Sequence, residues 1–518
     1  MRKLRKRIHT GGRVLLKGAA TIILAGITGA LAAHGQGASP VVGTTGGQLQ
    51  GMSEYGIYAY KGIPYAASPV GKNRWRPPQP PQGWDGTRKA NAFGYACMQP
   101  PGVSTENGGD PGPMSEDCLY LNVWTPDPDP ARELPVVVWI HGGAYVFGAG
   151  TVEGYSGVPY AAKDVVFVNL NYRLGALGFF GHPALEGETG TVANFGLMDQ
   201  IAALTWVRQN IAAFGGNPDN VTIMGQSAGA KSVMALYASP LAQGLFHKGV
   251  AMSVYVLPDA DREKAQTVAA SIASAVGLEG AAASVEDLRA IPAIDLVTLQ
   301  GEGLSLGPVP IVGDLVLPAS IQDTFANGQE KAAPLIIGST SDDGSVISAF
   351  GISPSAIVKK MGILGIGLRF LYKSMSEEER ARQAIRDAVF TMNPRWVAER
   401  HSKRAPTWRY YFDYVAEADR EALPGGAPHG YEVAFFLETL PVADGIKDRY
   451  SEADMEAARK LAGYITEFAR TGVPSSAWET SDRDHDRILL IEADSIKVKK
   501  RFLRRRLNAF IGITKLID

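Results

Sequence analysis

Short apolar runs alternate with amphipathic stretches along most of the chain. PVVVWI (135–140) follows a charged, Pro-rich turn and predicts a buried strand. DVVFVNLNY (164–172), VTIMG (221–225), GVAMSV (249–254) and APLIIGST (333–340) predict further strands. From Gly196 to Phe214, the apolar residues Leu197, Ile201, Leu204, Val207 and Ile211 recur at helical spacing. Turn residues GGNPDN (215–220) close that helix, and AGAKSVMALYA (228–238) predicts another. This β-α-β rhythm predicts an α/β fold, a largely parallel central sheet flanked by helices. Residues 40–62 alternate polar and apolar and predict early strands. Residues 345–403 predict mostly helices, and two arrangements stay open for them: a cap-like region over a pocket, or helices packed as core. A helix over 452–471 and a strand ILLIEA (488–493) complete the pattern.

The first 37 residues break it. Residues 1–17 are basic and 18–33 are apolar or small, with small residues after them, the layout of a secretory signal peptide. Ala30-x-Ala32 offers a cleavage site, and sixteen apolar residues fall short of the ~20 that span a bilayer. The expectation is a signal peptide over 1–37, a single domain over 38–518, and a secreted or periplasmic protein. The whole 518-residue chain carries a net charge of −1, but the first 37 residues hold seven of its 51 basic residues and no acid. The remainder carries −8, which argues against a nucleic-acid partner. Apolar residues at 45% and charged residues at 20% exclude an intrinsically disordered chain. The two cysteines, Cys97 and Cys118, are close in sequence in an exported chain, which favours a disulfide; two separate buried thiols are the alternative.

The strongest chemical signal is Gly225-Gln226-Ser227-Ala228-Gly229, a G-x-S-x-G between the strand VTIMG and the helix from Ala228. A serine at such a turn stands above the sheet, with a helix N-terminus facing developing negative charge. His141-Gly142-Gly143-Ala144-Tyr145 follows the strand PVVVWI, and its glycines can aim successive backbone N–H groups at one point. A serine needs a base. Of the six histidines outside the leader, His429 is the best placed, in the Gly/Pro loop GGAPHGYE after the strand-like RYYFDYV. His401, in AERHSKR, reads as a solvated helix face, and His485 as an exposed turn. Asp342 and Asp343 follow the strand APLIIGST and both can orient the base. With Asp343, the chain order is nucleophile, acid, base. No H-E-x-x-H or Walker loop occurs, so no metal or organic cofactor is expected.

These segments resemble the type B carboxylesterase family of α/β-hydrolases, which includes para-nitrobenzyl-type esterases and cholinesterases. The resemblance rests on YKGIPYAASPVGKNRWRPPQP (60–80), SEDCLYLNVWTP (115–126), VVVWIHGGAYVFGAG (136–150), NYRLGALGFF (171–180), the run 194–230 and HGYEVAFF (429–436). It implies Ser227 as nucleophile, His429 as base and Asp343 as acid, at a position where the family usually has glutamate. It implies oxyanion donors at the backbone of Gly143, Ala144 and Ala228, and no cofactor. It also implies a Cys97–Cys118 disulfide and the ion pairs Arg74–Glu116 and Arg173–Asp199, and it gives Ser253 a place behind the site. Gln226 stands where the family commonly has glutamate.

The implied activity is hydrolysis of small-molecule carboxylic esters through an acyl-enzyme. The alternative of another class is a non-catalytic adhesion or binding protein on the same fold, which typically lacks part of the triad. In the cholinesterases that the chain resembles, a tryptophan lies inside the loop that the implied disulfide closes; residues 98–117 here contain no aromatic side chain, so the resemblance ranks choline esters low as substrates. The tail Lys497–Arg506 holds seven basic residues in ten. A solvated hairpin or helix is favoured for it over peripheral membrane contact. Oligomeric state and acyl preference are left open.

Overall fold

The computed structural model describes residues 40–517 except 102–108, 190–192, 257–258, 302–308, 350, 361–362 and 441–448. The leader expected over 1–37 lies outside the described residues. Eleven of the described strands form one sheet: β1 (Met52–Glu54), β2 (Ile57–Pro64), β3 (Tyr120–Thr125), β4 (Leu134–Ile140), β5 (Val166–Leu170), β6 (Gly216–Gln226), β7 (Lys248–Met252), β8 (Leu335–Thr340), β9 (Thr407–Asp413), β10 (Arg487–Glu492) and β11 (Ser495–Lys500). Their spatial order is β11-β10-β9-β8-β7-β6-β4-β5-β3-β2-β1. The block from β10 to β5 is parallel, and antiparallel strands finish both edges. The helices that matter below are α1 (Phe195–Asn210), α2 (Ala228–Ala238), α3 (Glu377–Ile385), α4 (Met392–His401), α5 (Glu452–Thr471) and α6 (Arg504–Ile517).

β4 shows why the central strands read as unbroken apolar runs. Val136, Val138 and Ile140 pack in the core that holds Leu204 and Val207 of α1 and Val233 and Leu236 of α2. Val137 and Trp139 point the other way, into the core that holds Leu461, Ile465 and Phe468 of α5. Both faces are covered, so every position is apolar. Each such side chain contributes about 1.5–3 kcal/mol when fully buried.

α5 has the predicted bounds because both ends are signalled. Ser451 and Asp454 bond reciprocally as a capping box, and Gly472 ends the helix at φ +82°. α1 stops earlier than its periodicity predicts. A 3₁₀ turn takes over at Ile211–Phe214, and Gly215 turns the chain at φ +79°. The predicted turn GGNPDN differs too. β6 already pairs with β4 at Gly216, and the register breaks between Gly216 and Val221, so the turn residues form an irregularity within the strand.

In the 345–403 block, α4 is almost wholly buried and packs as core, with Met392, Trp396 and Val397 inside. A π-turn at Arg386–Thr391 separates it from α3. The basic tail forms β11, an antiparallel hairpin with β10 at the sheet edge, followed by α6. Lys497, Lys499 and Lys500 are exposed there, where charge discourages further strand pairing. Among the described residues, no helix is long and apolar enough to cross a membrane.

Candidate active site

Parallel strands end at one edge of the sheet, and the predicted residues follow those ends. β4 leads into the loop His141–Tyr145, β6 into Ser227, β7 into Ser253 and β8 into Asp343. Ser227 sits at φ +55° and ψ −119°, a conformation costly to any residue with a side chain. Its N–H donates to Met252 O at 2.9 Å, and its carbonyl accepts from Lys231 N–H at 2.9 Å, which starts α2. The flanking glycines are required by close approach. A Cβ on Gly225 would lie 2.5 Å from the backbone of Gly229, and one on Gly229 would lie 2.0 Å from Ile140 O.

The glycine loop lies against this turn. A Cβ on Gly142 would lie 3.2 Å from the Ser227 Cβ and 2.7 Å from Gln226 O. Gly143, Ala144 and Tyr145 all have positive φ, at +104°, +54° and +62°. Gly143 O accepts from the N–H groups of Val146 and Phe147. Among the described residues, the N–H groups of Gly143, Ala144 and Ala228 donate to no protein acceptor. His141 is buried, with Nδ1 2.8 Å from Gly142 O and its ring stacked on Tyr172 at 4.4 Å. Burial pulls its pKa down to about 4, so it stands as a neutral packing element.

Asp343 and His429 meet. His429 Nδ1 lies 2.8 Å from Asp343 Oδ1, and Asp343 Oδ2 accepts the Thr340 N–H at 2.7 Å. Asp343 is fully buried. Asp342 faces elsewhere, with Oδ1 3.1 Å from Arg382 Nε. Burial raises the Asp342 carboxyl to about 6 against the pull of Arg382 and Arg386. The shorter aspartate at 343 therefore reaches His429. His429 is held by its own N–H, which donates to Ser345 Oγ at 3.0 Å, and by Phe390 of the π-turn, 5.1 Å from the ring. On the far side, Gln226 Nε2 lies 3.3 Å from His429 Nε2.

Near Asp343, Ser253, at φ +52°, donates to Glu432 Oε1 at 2.6 Å. Glu432 is buried, and burial with the charge of Asp343 pushes its carboxyl up to about 8. Sequence reasoning gave no role to Glu432, Phe390 or Ser345. Only Glu432 had a signal, three residues after His429 in HGYE. The reading of His401 as a solvated face is corrected: it is fully buried, with Nδ1 2.8 Å from Glu330 Oε1 and Nε2 2.8 Å from Ala333 O. Lys403 and Arg404 are exposed and Arg400 lies half-buried over Trp396, while the His401 side chain itself points to the core. His485 is exposed as read.

The pairs implied by the resemblance are present. Cys97 and Cys118 form a disulfide. Arg74 grips Glu116 through two contacts at 2.7 and 2.5 Å, and Arg173 grips Asp199 at 2.8 and 2.7 Å.

A model of the Carboxylesterase family matches residues 38–363 and 372–510. The chain belongs to the carboxylesterase family. It is 34% identical to the Para-nitrobenzyl esterase of Bacillus subtilis (strain 168), over 88% of this chain and 95% of that protein. It is 32% identical to the Fumonisin B1 esterase of Sphingopyxis macrogoltabida, over 85% and 84%. It is 33% identical to the Cocaine esterase of Homo sapiens, over 89% and 90%. Among solved structures, a PNB esterase at 32% identity gives a TM-score of 0.77 over 90% of this chain and 99% of its own. A thermophilic PNB esterase at 31% identity gives 0.78 over the same shares. The fold is that of an α/β-hydrolase, and the protein is a carboxylic ester hydrolase acting on small-molecule esters.

Proposed function

We propose that this carboxylesterase works through an acyl-enzyme on Ser227, with His429 as base and Asp343 as acid. His429 Nε2 takes the Ser227 proton as Oγ attacks the ester carbonyl. The backbone N–H groups of Gly143, Ala144 and Ala228 hold the oxyanion, backed by the N-terminus of α2. His429 then gives its proton to the leaving alcohol, and later takes one from the water that releases the acid. Asp343 keeps the imidazole in the tautomer with Nδ1–H and favours its charged form. The observation that carries this reading is the 2.8 Å contact of Asp343 with His429, beside a serine held at φ +55°.

The compartment is secreted or periplasmic, with residues 1–37 as the signal peptide and 38–518 as one catalytic domain. The disulfide supports an oxidising compartment. The family match from residue 38 supports the domain boundary.

The test is hydrolysis of p-nitrophenyl esters from C2 to C12 by the mature protein and by Ser227→Ala. Turnover should fall about 10⁴–10⁶-fold in the variant while the fold persists. Near-full activity in Ser227→Ala would overturn the nucleophile.

A further inference from the structure

We infer that the helix Ile363–Leu371 and the basic C-terminal tail form one surface that docks on an anionic lipid bilayer. The helix, ILGIGLRFL, has six apolar residues and one charge in nine. The match to the family model breaks at residues 364–371, so this helix is where the chain departs from the family pattern. Its inner side is Leu368 and Tyr372, both buried. Its outer side is uncovered. Phe370 is 74% exposed, and a Cβ added at Gly367, one turn before it, would meet nothing within 4 Å. Arg369 and Lys373 flank the ring and are exposed. An apolar ring left in water between cations is what a helix lying in a lipid interface presents.

The tail adjoins this helix. Arg506 of α6 lies over the Tyr372 ring at 4.5 Å, and Tyr372 OH donates to Asp387 Oδ2 at 2.6 Å. α6 is held in turn on α4, where Arg395 Nη1 donates to Asn508 Oδ1 at 2.7 Å. Lys499, Lys500, Arg504 and Arg505 are exposed and pair with no carboxylate among the described residues. Sequence alone favours a solvated hairpin or helix for the tail, and the exposed phenylalanine beside it changes that balance. Opposing charge stands at Glu377–Glu379, where α3 begins, and Lys359 pairs with Glu377 at 3.2 Å. Residues 359–382 still carry +3.

The chemistry of the face selects its occupant. Without Lys497–Arg506, residues 38–518 carry −15, so a tail turned to an anionic plane leaves an acidic body to face away from it. A second copy docked through the same face would bring like charges together. The leader over 1–37 has seven basic residues and no acid, and is repelled in the same way. A soluble polyanion would satisfy the lysines and arginines and leave Phe370 in water. A bilayer takes both: phosphate headgroups meet the cations, and the ring enters the boundary with the acyl chains.

The experiment is co-sedimentation of the mature protein with vesicles of mixed phosphatidylglycerol and phosphatidylcholine, and of phosphatidylcholine alone, at low and at high salt. The leader is absent because its own basic and apolar sequence would bind lipid. Hydrolysis of p-nitrophenyl acetate reports that each variant is folded. Wild type should sediment with the anionic vesicles at low salt, leave them at high salt and ignore phosphatidylcholine. Phe370→Ser should weaken binding about 10-fold, and Arg504→Gln with Arg505→Gln about 10–30-fold, with hydrolysis retained. If that double variant does not fold, Lys499→Gln with Lys500→Gln on β11 takes its place. No binding, or equal binding to both vesicles, overturns the inference. Full binding in Phe370→Ser, with loss only in the tail variant and retention of wild type on heparin, would assign the tail to soluble polyanions and overturn the bilayer. A dimer in size exclusion that Phe370→Ser dissolves would give the face to a second copy and overturn it as well.

Discussion

Asp342 and Asp343 are neighbours in the chain and serve different partners: Asp343 Oδ1 meets His429 Nδ1 at 2.8 Å, and Asp342 Oδ1 meets Arg382 Nε at 3.1 Å. Asp343→Ala should therefore lower kcat about 10³–10⁴-fold, because the imidazole loses both its tautomer and its counter-charge. Asp342→Asn keeps the shape and should change kcat less than about 10-fold. Steady-state rates on one p-nitrophenyl ester check both, and a larger loss at 342 than at 343 would reverse the assignment.

Glycine placement gives a paired stability prediction. A methyl at Gly229 would lie 2.0 Å from Ile140 O and 2.9 Å from His141 O, both backbone atoms that cannot yield cheaply. Gly463 is different. It lies inside α5 at ordinary helical φ, and an added Cβ would meet nothing within 4 Å. Gly463→Ala should stabilise by about 0.5–1 kcal/mol, through helix propensity and a less flexible unfolded chain. Gly229→Ala should destabilise by more than that gain and reduce activity, since it pushes the Ser227 turn off the glycine loop. Urea midpoints of the two variants should move in opposite directions.

Glu432 predicts a pH dependence of stability. Its carboxyl is raised from 4.5 to about 8 by burial and by the charge of Asp343. Between those values the folded state keeps a proton that the unfolded state has lost. Stability from this group is therefore full below about 4.5, falls as pH rises toward 8, and levels off above. Asp342, raised to about 6, adds the same sign over a lower window. Glu432→Gln stays neutral in both states, so its melting temperature should vary less between pH 5 and 8 than that of wild type. Parallel curves for the two proteins would remove Glu432 as the cause.

The parts of the site that sit beside regular elements were legible in the sequence. Ser227 and the His141–Tyr145 loop announce themselves because a strand run, a glycine pair and a helix must adjoin for the turn to form. α5 was legible to the residue because a capping box and a terminal glycine mark its ends. The choice between Asp342 and Asp343 was legible only through the resemblance, because two adjacent aspartates carry the same local signal and only the distant Arg382 and His429 separate them. His401 was misread for a related reason. Its charged neighbours dominate the local pattern, while its partners, Glu330 and Ala333, lie about 70 residues away. Phe390 depends on a π-turn, which offsets the helical period and sends an apolar side chain to His429.

The disulfide predicts a split between stability and turnover. Cys97 and Cys118 are 21 residues apart, and closing a loop of that length stabilises by about 3 kcal/mol through the unfolded chain. The loop also reaches the site. Gln99, two residues past Cys97, accepts the Gly148 N–H at 3.0 Å and donates to Gly148 O at 3.1 Å. Gly148 in turn lies under His141, where a Cβ would come 2.4 Å from Nδ1. Gln99 is buried and should keep these bonds when the sulfurs are replaced, so the glycine loop should hold its shape in the folded state. Cys97→Ser with Cys118→Ser should lose about 3 kcal/mol in urea unfolding, yet keep kcat within about 10-fold at 25 °C. A double variant as stable as wild type would mean that the unfolded chain gains little freedom from the cut. Full stability loss with kcat down a hundredfold or more would mean that the disulfide, through Gln99, is what holds the glycine loop in place.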